Sequence, residues 1–182
     1  MISTFYEFAQ KLLNISSRIG KEAILKEYSN NQEVKDIIKI LLDDRVVFGI
    51  QMKKLEKAQR EVANSVTLSE KSLMDMLKYV TDNKTGTDKV LSEVASYIQT
   101  QEEQYRDMLA KMFTKNLKLG ITANTVNKIW GKGFIFQLKV MRSKSYEKYA
   151  DKLKGKEVIV TIKVDGIRMI VIKDDKGVKA YS

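Results

Sequence analysis

The sequence predicts a mainly α-helical protein, in which an all-helical N-terminal domain precedes the first strands of a smaller β-containing domain. Up to about residue 130, apolar residues recur at steps of three and four, the spacing of amphipathic helices. After residue 156, short apolar runs alternate with glycine-containing turns, which is the pattern of β-hairpins. We therefore assign residues 1–130 to a helical domain and residues 131–182 to the beginning of a second domain.

The composition excludes several kinds of chemistry. The chain has no cysteine and no histidine, which rules out disulfides, thiolate or imidazole metal sites and a histidine general base. No apolar run approaches the roughly 20 residues that span a bilayer, and the N-terminus lacks the order of a signal peptide. We expect a cytoplasmic protein with no membrane partner, and we expect it to be monomeric.

The positive charge is concentrated in one stretch of the chain. The net charge is +10, and residues 104–154, with 12 basic and 3 acidic side chains, contribute +9 of it. A solvated helical face usually mixes both signs, whereas a one-sign block suits the phosphate backbone of a nucleic acid. The stretch therefore predicts nucleic-acid binding, with charge for solubility as the alternative.

The helical domain divides into segments separated by polar or glycine-containing turns. We predict the first helix over residues 5–19, ended by Gly20, and a short second helix over 22–28. The remaining predictions are a helix over 34–48, a loop or irregular helix over 49–66, a capping box at Thr67–Glu70 with a helix to the turn at 83–86, a helix over 90–98, a helix from 105 to Leu119-Gly120, and a helix capped by Thr122 that reaches Trp130.

The second domain is predicted to begin with three strands. Apolar runs cover residues 158–162 and 169–172, and a hairpin turn at 174–177 precedes a third strand at 178–181. Three strands do not close a two-sided core, and sheets this small are marginal unless they pack on something. We expect this domain to be incomplete and the chain to be a fragment of a longer protein.

One hexapeptide in this region carries most of the chemical information. Lys163-Val164-Asp165-Gly166-Ile167-Arg168 joins the first two predicted strands, so that an amine and a guanidinium meet at one strand end, where a nucleotide phosphate could bind. An Asp-Gly turn in a plain hairpin is the alternative.

The pattern K-x-D-G-x-R resembles motif I of the covalent nucleotidyltransferases, which include DNA ligases, RNA ligases and mRNA capping enzymes. The order of a helical domain, a basic hairpin and this motif resembles phage-type ATP-dependent DNA ligases. Further stretches that are similar to that family are 12–25, 75–98, 116–130, which is the most specific, and 141–148.

The resemblance implies that Lys163 attacks ATP, with Mg²⁺ as the metal cofactor, and becomes a lysyl-AMP that seals nicks in double-stranded DNA. Arg168 would contact the ribose. Thr161 stands where these ligases often have Glu or Gln to read adenine, so main-chain groups near Ile162 could substitute. The family's later motifs, including its metal-binding glutamates, would lie beyond Ser182, so we expect the fragment to be inactive alone and assign no metal ligand within it.

The attacking amine must be neutral, although the pKa of an unperturbed lysine is about 10.4. Desolvation or neighbouring cations must therefore lower the pKa of Lys163. Mg²⁺ would stabilise the charge that develops on the phosphoryl group.

The corner between the last two helices of the first domain is the predicted DNA contact. Gly120 would let DNA approach the main chain, and the amides at the helix start near Thr122 would bind phosphate. The residues predicted to bind DNA are Lys115, Lys118, Gly120, Thr122, Asn124, Asn127 and Lys128. An ordinary helix–turn–helix corner is the alternative, and Trp130 is expected to be a core residue.

Three functions remain open from the sequence. The first is an ATP-dependent DNA ligase, of which this chain supplies the DNA-binding domain and the adenylated lysine. The second is a module that binds duplex or nicked DNA without catalysis. The third is an RNA ligase or a capping-type nucleotidyltransferase, which the helical leader argues against.

Overall fold

The computed structural model describes residues 1–62, 71–137, 145–160, 162, 166, 169–175 and 177–181. The chain divides into two compact units, residues 1–137 and 138–182. In the described part, the first unit contains α1 (Ile2–Leu13), α2 (Arg18–Glu27), α3 (Gln32–Leu42), α4 (Met52–Val62), α5 (Leu73–Asn83), α6 (Asp88–Gln99), α7 (Glu103–Phe113) and α8 (Ala123–Trp130), and the second contains α9 (Ala150–Leu153), β1 (Ile170–Asp174) and β2 (Gly177–Tyr181). The prediction of a mainly helical chain with a small C-terminal β-sheet is confirmed.

The helices of the first unit surround one apolar core. Helix α1 packs against α2, α3 and α7, while α4 packs against α6 and α7, and α2 packs against α8. The largest fully buried side chains include Phe5, Phe8, Tyr97 and Phe113. Tyr97 meets Phe113 edge to face, with ring centroids 5.9 Å apart, which is a favourable aromatic geometry. The core thus joins helices from both ends of this unit.

The boundary between the first two helices lies earlier in the chain than predicted. Helix α1 ends at Leu13, and Gly20 lies inside the first turn of α2, where its amide donates to the hydroxyl of the capping residue Ser17 at 3.1 Å. Ile19 is 82% exposed and does not continue the apolar stripe. A Cβ at position 20 would lie 2.5 Å from Cγ2 of Ile15. Gly20 therefore permits close packing inside a helix and does not end one.

Helix α3 is shorter than predicted, and α4 is more regular. The predicted helix to residue 48 ends at Leu42, because the backbone of Asp43 is extended. Residues 43–51 form an irregular connection whose Phe48 and Ile50 are buried. The region predicted as a loop or irregular helix contains α4, which buries Leu55, Ala58 and Val62.

The predicted stripes of α5, α6 and α8 are confirmed, but two boundary predictions are not. The capping box at 67–70 lies outside the described residues, and α5 is instead capped by Ser72 and Asp75, whose side chains and amides bond reciprocally. Helix α7 ends at Phe113, before the predicted end at Leu119-Gly120, because Lys115 takes the left-handed conformation with φ of 54°.

In the second unit, β1 and β2 form an antiparallel pair in which Ile170 lies opposite Tyr181 and Asp174 opposite Gly177. The predicted second and third strands are therefore confirmed. The predicted first strand is not formed by residues 158–160, which have no strand pairing, and Ile159 and Val160 are 93% and 89% exposed. An apolar run becomes a strand only where a neighbour pairs with its main chain, and no described residue does so here.

No helix in the described part of the chain is long and apolar enough to cross a membrane.

We expect Lys84→Gly to raise the free energy of unfolding by up to about 1 kcal/mol. Lys84 ends α5 in the left-handed conformation, with φ of 52°, and its side chain is exposed. Glycine adopts this conformation without the steric cost of a Cβ. Urea denaturation followed by circular dichroism measures the effect. Lys78→Gly, at an exposed position inside the same helix, should lower stability by about 1 kcal/mol, and a loss of stability in both variants would contradict the argument.

Candidate nucleic-acid interface

The chain between α7 and the first turn of α8 alternates between the core and the solvent. We define residues 115–124 as the interface segment. Leu119 and Ile121 are buried, whereas Lys118, Gly120 and Thr122 are exposed. Alternation of this kind arises because successive side chains of an extended chain point to opposite sides. The segment therefore presents a row of polar positions while its apolar side chains anchor it.

Four of the predicted DNA-binding residues lie on this surface with accessible groups. Lys118 is exposed, and no acidic side chain among the described residues pairs with it. Thr122 caps α8 by accepting a hydrogen bond from the amide of Thr125 at 3.3 Å. Asn124 is exposed in the first turn of α8, where the first helical amides have no acceptor within the helix. Gly120, with φ of 67°, completes the set.

Lys115 is directed into the protein. Its ammonium group donates to the main-chain carbonyl of Asp43 at 3.1 Å and to that of Val46. Burial lowers the pKa of Lys115, and the carboxylates of Asp43 and Asp44 partly oppose that shift. The side chain predicted to contact DNA therefore connects the interface segment to the chain that follows α3.

Asp43 is the carboxylate nearest this connection, and it is 4% exposed. Both of its oxygens accept hydrogen bonds from the Arg45 guanidinium, at 3.0 and 2.7 Å. Burial alone would raise the pKa of Asp43, but these bonds and the nearby ammonium of Lys115 hold the pKa below its ordinary value. The negative charge of Asp43 is thus retained beneath the surface.

Asn127 and Lys128 also have partners inside the unit. The amide of Asn127 donates to the carbonyl of Ile135 at 2.9 Å and accepts from its N–H at 2.7 Å. Lys128 forms an ion pair with Glu22 at 2.7 Å. The hydrogen bond from Lys128, joined by one from Arg18, lowers the pKa of Glu22. Asn127 fixes the turn that follows α8, and Lys128 is paired with a carboxylate of α2.

Lys21 joins this region although the sequence did not indicate it. Its ammonium group donates to the carbonyl of Leu119 at 2.9 Å. A Cβ at position 120 would lie 2.1 Å from that nitrogen, so Gly120 makes room for the side chain of Lys21. Lys21 and Leu119 are 98 positions apart in the sequence, and no local sequence pattern connects them.

Two clefts flank Lys118. One, of about 330 Å³, lies between α3 and the interface segment and is lined by Ile38, Leu41, Leu42, Lys115 and residues 117–121. The other, of about 360 Å³, lies between α1 and α7 and includes Tyr6, Leu13, Met108 and Lys111. Lys118 lines both clefts and therefore lies between them.

Two aromatic rings at and after the end of α8 lie near basic side chains of α3. Phe134 lies beneath the ammonium groups of Lys35 and Lys39 of α3, at 5.3 and 5.8 Å from the ring centroid. Trp130 packs edge to face on Phe134 and donates its indole hydrogen to the carbonyl of Leu25 at 2.7 Å. Trp130 is therefore partly buried against the core, which agrees with its prediction as a core residue.

The residues predicted for nucleotide chemistry are described only in part. Lys163, Arg168 and Thr161 lie outside the described residues. Ile162 is described and is 91% exposed. Among the described side chains, no three acidic groups come together as a cation site. The candidate site that can be built from geometry is thus the surface of the first unit.

A scan against protein-family models and a search of curated proteins found no match to this chain.

Proposed function

We propose that residues 1–137 bind duplex DNA at nicks and that the chain is the N-terminal part of an ATP-dependent DNA ligase. The observation that carries the DNA-binding part is the row formed by Lys118, Gly120, Thr122 and Asn124. It combines an ammonium group that has no acidic partner among the described residues, an exposed glycine main chain and helix-start amides. Such groups bind phosphates without reading bases, which is what an enzyme acting on any nick requires.

The ligase part of the proposal rests on the order of segments in the sequence. Lys163 and Arg168 would act on ATP with Mg²⁺, as in the enzymes whose motif they resemble, and the helical unit before them would hold the nicked substrate. In this scheme Lys163 forms a bond to the α-phosphorus of ATP, and pyrophosphate leaves. AMP then passes to the 5′-phosphate of the nick, and the 3′-hydroxyl displaces it.

A DNA-binding module without catalysis is the second candidate. It is favoured by the fact that the exposed polar row is contained within the first unit, which has its own core. A competition between nicked DNA and nicked RNA duplexes separates both candidates from an RNA ligase, which a preference for RNA would favour.

The experiment that tests the proposal is binding of nicked duplex DNA across a series of salt concentrations. A lysine that neutralises a phosphate releases a counterion, so the slope of log K against log salt reports the number of such contacts. We expect Lys118→Ala to weaken binding and to make this slope shallower by about one.

The matched control is Lys54→Ala. Lys54 is an exposed lysine that lines a different cleft, between α4 and α6, so its removal changes the net charge by the same amount. We expect its slope to equal that of the unmodified chain. No binding by the unmodified chain at low salt, or equal changes in both variants, would remove the interface segment as the DNA contact.

A further inference from the structure

Two lysines hold the interface segment by donating to main-chain carbonyls rather than to carboxylates. Lys115, the first residue of the segment, donates to the carbonyls of Asp43 and Val46. Lys21 of α2 donates to the carbonyl of Leu119, further along the segment. Hydrogen bonds from a charged donor are roughly twice as strong as neutral ones. The segment is therefore fixed from α2 on one side and from the chain after α3 on the other.

The backbone at Lys115 favours glycine, yet a lysine is present. The amide of Asn116 bonds to the carbonyl of Lys111 at 2.8 Å, and the amide of Lys115 bonds to that of Met112 at 3.0 Å. This pair of bonds is the Schellman motif, which places its left-handed residue at position 115. Glycine there would avoid the steric cost of φ at 54°, but it would lose both side-chain hydrogen bonds to the chain after α3.

Lys21 also holds the segment, and it does so through the space left by Gly120. Because Gly120 has no side chain, the ammonium of Lys21 occupies the space where a Cβ would be. Lys21 is partly buried, and its bond to Leu119 lies directly before the exposed glycine. The position of the Gly120 main chain is thus set by a side chain from α2.

We propose that Lys21 and Lys115 are positioning residues that hold the interface segment in the conformation in which Lys118, Gly120 and Thr122 contact DNA phosphates. This inference rests on the proposed DNA-binding function. It assigns two different roles to the lysines at the interface segment. Lys118 contacts the nucleic acid, whereas the charges of Lys21 and Lys115 remain bonded to carbonyls when DNA binds. The alternative is that both side chains turn outward and bind phosphates themselves.

Salt dependence distinguishes these two roles. A lysine that binds a phosphate contributes to counterion release, and its loss makes the salt slope shallower. A positioning lysine releases no counterion, so its loss weakens binding by the same factor at every salt concentration. Lys21→Met and Lys115→Met are suitable substitutions because they keep an unbranched apolar stem and remove the ammonium group.

The experiment measures the Kd of nicked duplex DNA at several sodium chloride concentrations for the unmodified chain, Lys21→Met, Lys115→Met and Lys118→Ala. We expect about three- to tenfold weaker binding for each methionine variant, with an unchanged slope. Stoichiometric titration is done in parallel, so that unfolded protein appears as a lower active fraction and not as a weaker Kd.

Each outcome decides between the roles. A slope shallower by about one in either methionine variant would assign that lysine to direct phosphate contact and overturn its positioning role. An unchanged Kd in both variants would overturn the proposal as well. If Lys115→Met does not fold, Lys21→Met decides alone. Failure of the unmodified chain to bind would instead contradict the proposed function itself.

Discussion

Gly49→Ala should lower the free energy of unfolding by about 3 kcal/mol. Gly49 has φ of +66°, and a Cβ added there would lie 2.7 Å from the carbonyl oxygen of Lys84 and 3.0 Å from Cα of Thr85. Both neighbours are main-chain atoms and have little freedom to move aside. The substitution therefore combines backbone strain with a clash between the chain after α3 and the turn after α5. Urea denaturation followed by circular dichroism at 222 nm measures the change.

Gly133→Ala is the control for that substitution. Gly133 also has a positive φ, of +82°, but apart from the glycine and its two chain neighbours, no atom of the described residues lies within 4 Å of the position its Cβ would take. Only the conformational cost remains, and we expect a loss of about 1 kcal/mol. Equal losses in the two variants would mean that the close approach of Gly49 to Lys84 does not contribute.

Asn127→Ala should lower the free energy of unfolding by about 2 kcal/mol. The Asn127 side chain makes two hydrogen bonds to Ile135, one to its carbonyl and one from its amide. Ile135 is 1% exposed, so its main-chain groups have little access to water once the asparagine is gone. An unsatisfied buried donor or acceptor costs more than the net value of the bond it has lost.

Asn124→Ala, one turn earlier in α8, separates folding from binding. Asn124 is exposed, and its side chain has no hydrogen-bond partner among the described residues. We expect its stability to stay within about 0.5 kcal/mol of the unmodified chain, while its affinity for nicked duplex DNA falls. The same denaturation and titration measurements apply to both variants. A large stability loss in Asn124→Ala, or none in Asn127→Ala, would contradict this division of roles.

The sequence predicted helices best where a regular stripe faced the core. Leu73, Met76, Leu77 and Val80 of α5 are all buried, as expected from their spacing. Helix α4 was harder to predict because its buried side includes only Leu55, Ala58 and Val62 among many charged residues. A sparse stripe gives weak periodicity even when the helix is regular.

Helix ends were predicted less well because distant contacts decide them. The sequence favours continuation of α7 through residues 114–119, yet Lys115 ends it and donates its ammonium hydrogens to the chain after α3. No property of residues 105–119 alone indicates that partner. The first predicted strand failed for a related reason, since residues 158–160 have no paired neighbour in the described chain.

Contacts within the protein, which the sequence does not reveal, also decide how many cations of the charged stretch at 104–154 are accessible. Arg106 donates to the carbonyls of Gln99 and Gln101, and Lys111 pairs with Asp107. These cations, like Lys115, are engaged within the protein. Net charge therefore overstates the number of cations in this stretch that have no partner within the described part of the protein. Lys118 is the predicted lysine whose ammonium group stays available, and only the structure distinguishes it.

The contacts of α2 with α8 and with the interface segment also constrain the order in which the helical unit can form. They join residues separated by 98, 105 and 106 positions, through Lys21 with Leu119, Leu25 with Trp130 and Glu22 with Lys128. Closing so long a loop is entropically costly before other helices have associated. On a ribosome, these three partners of α2 are synthesised long after α2 itself. The interface segment contains the first of these contacts, at Leu119, so we expect it to reach its final conformation late in folding.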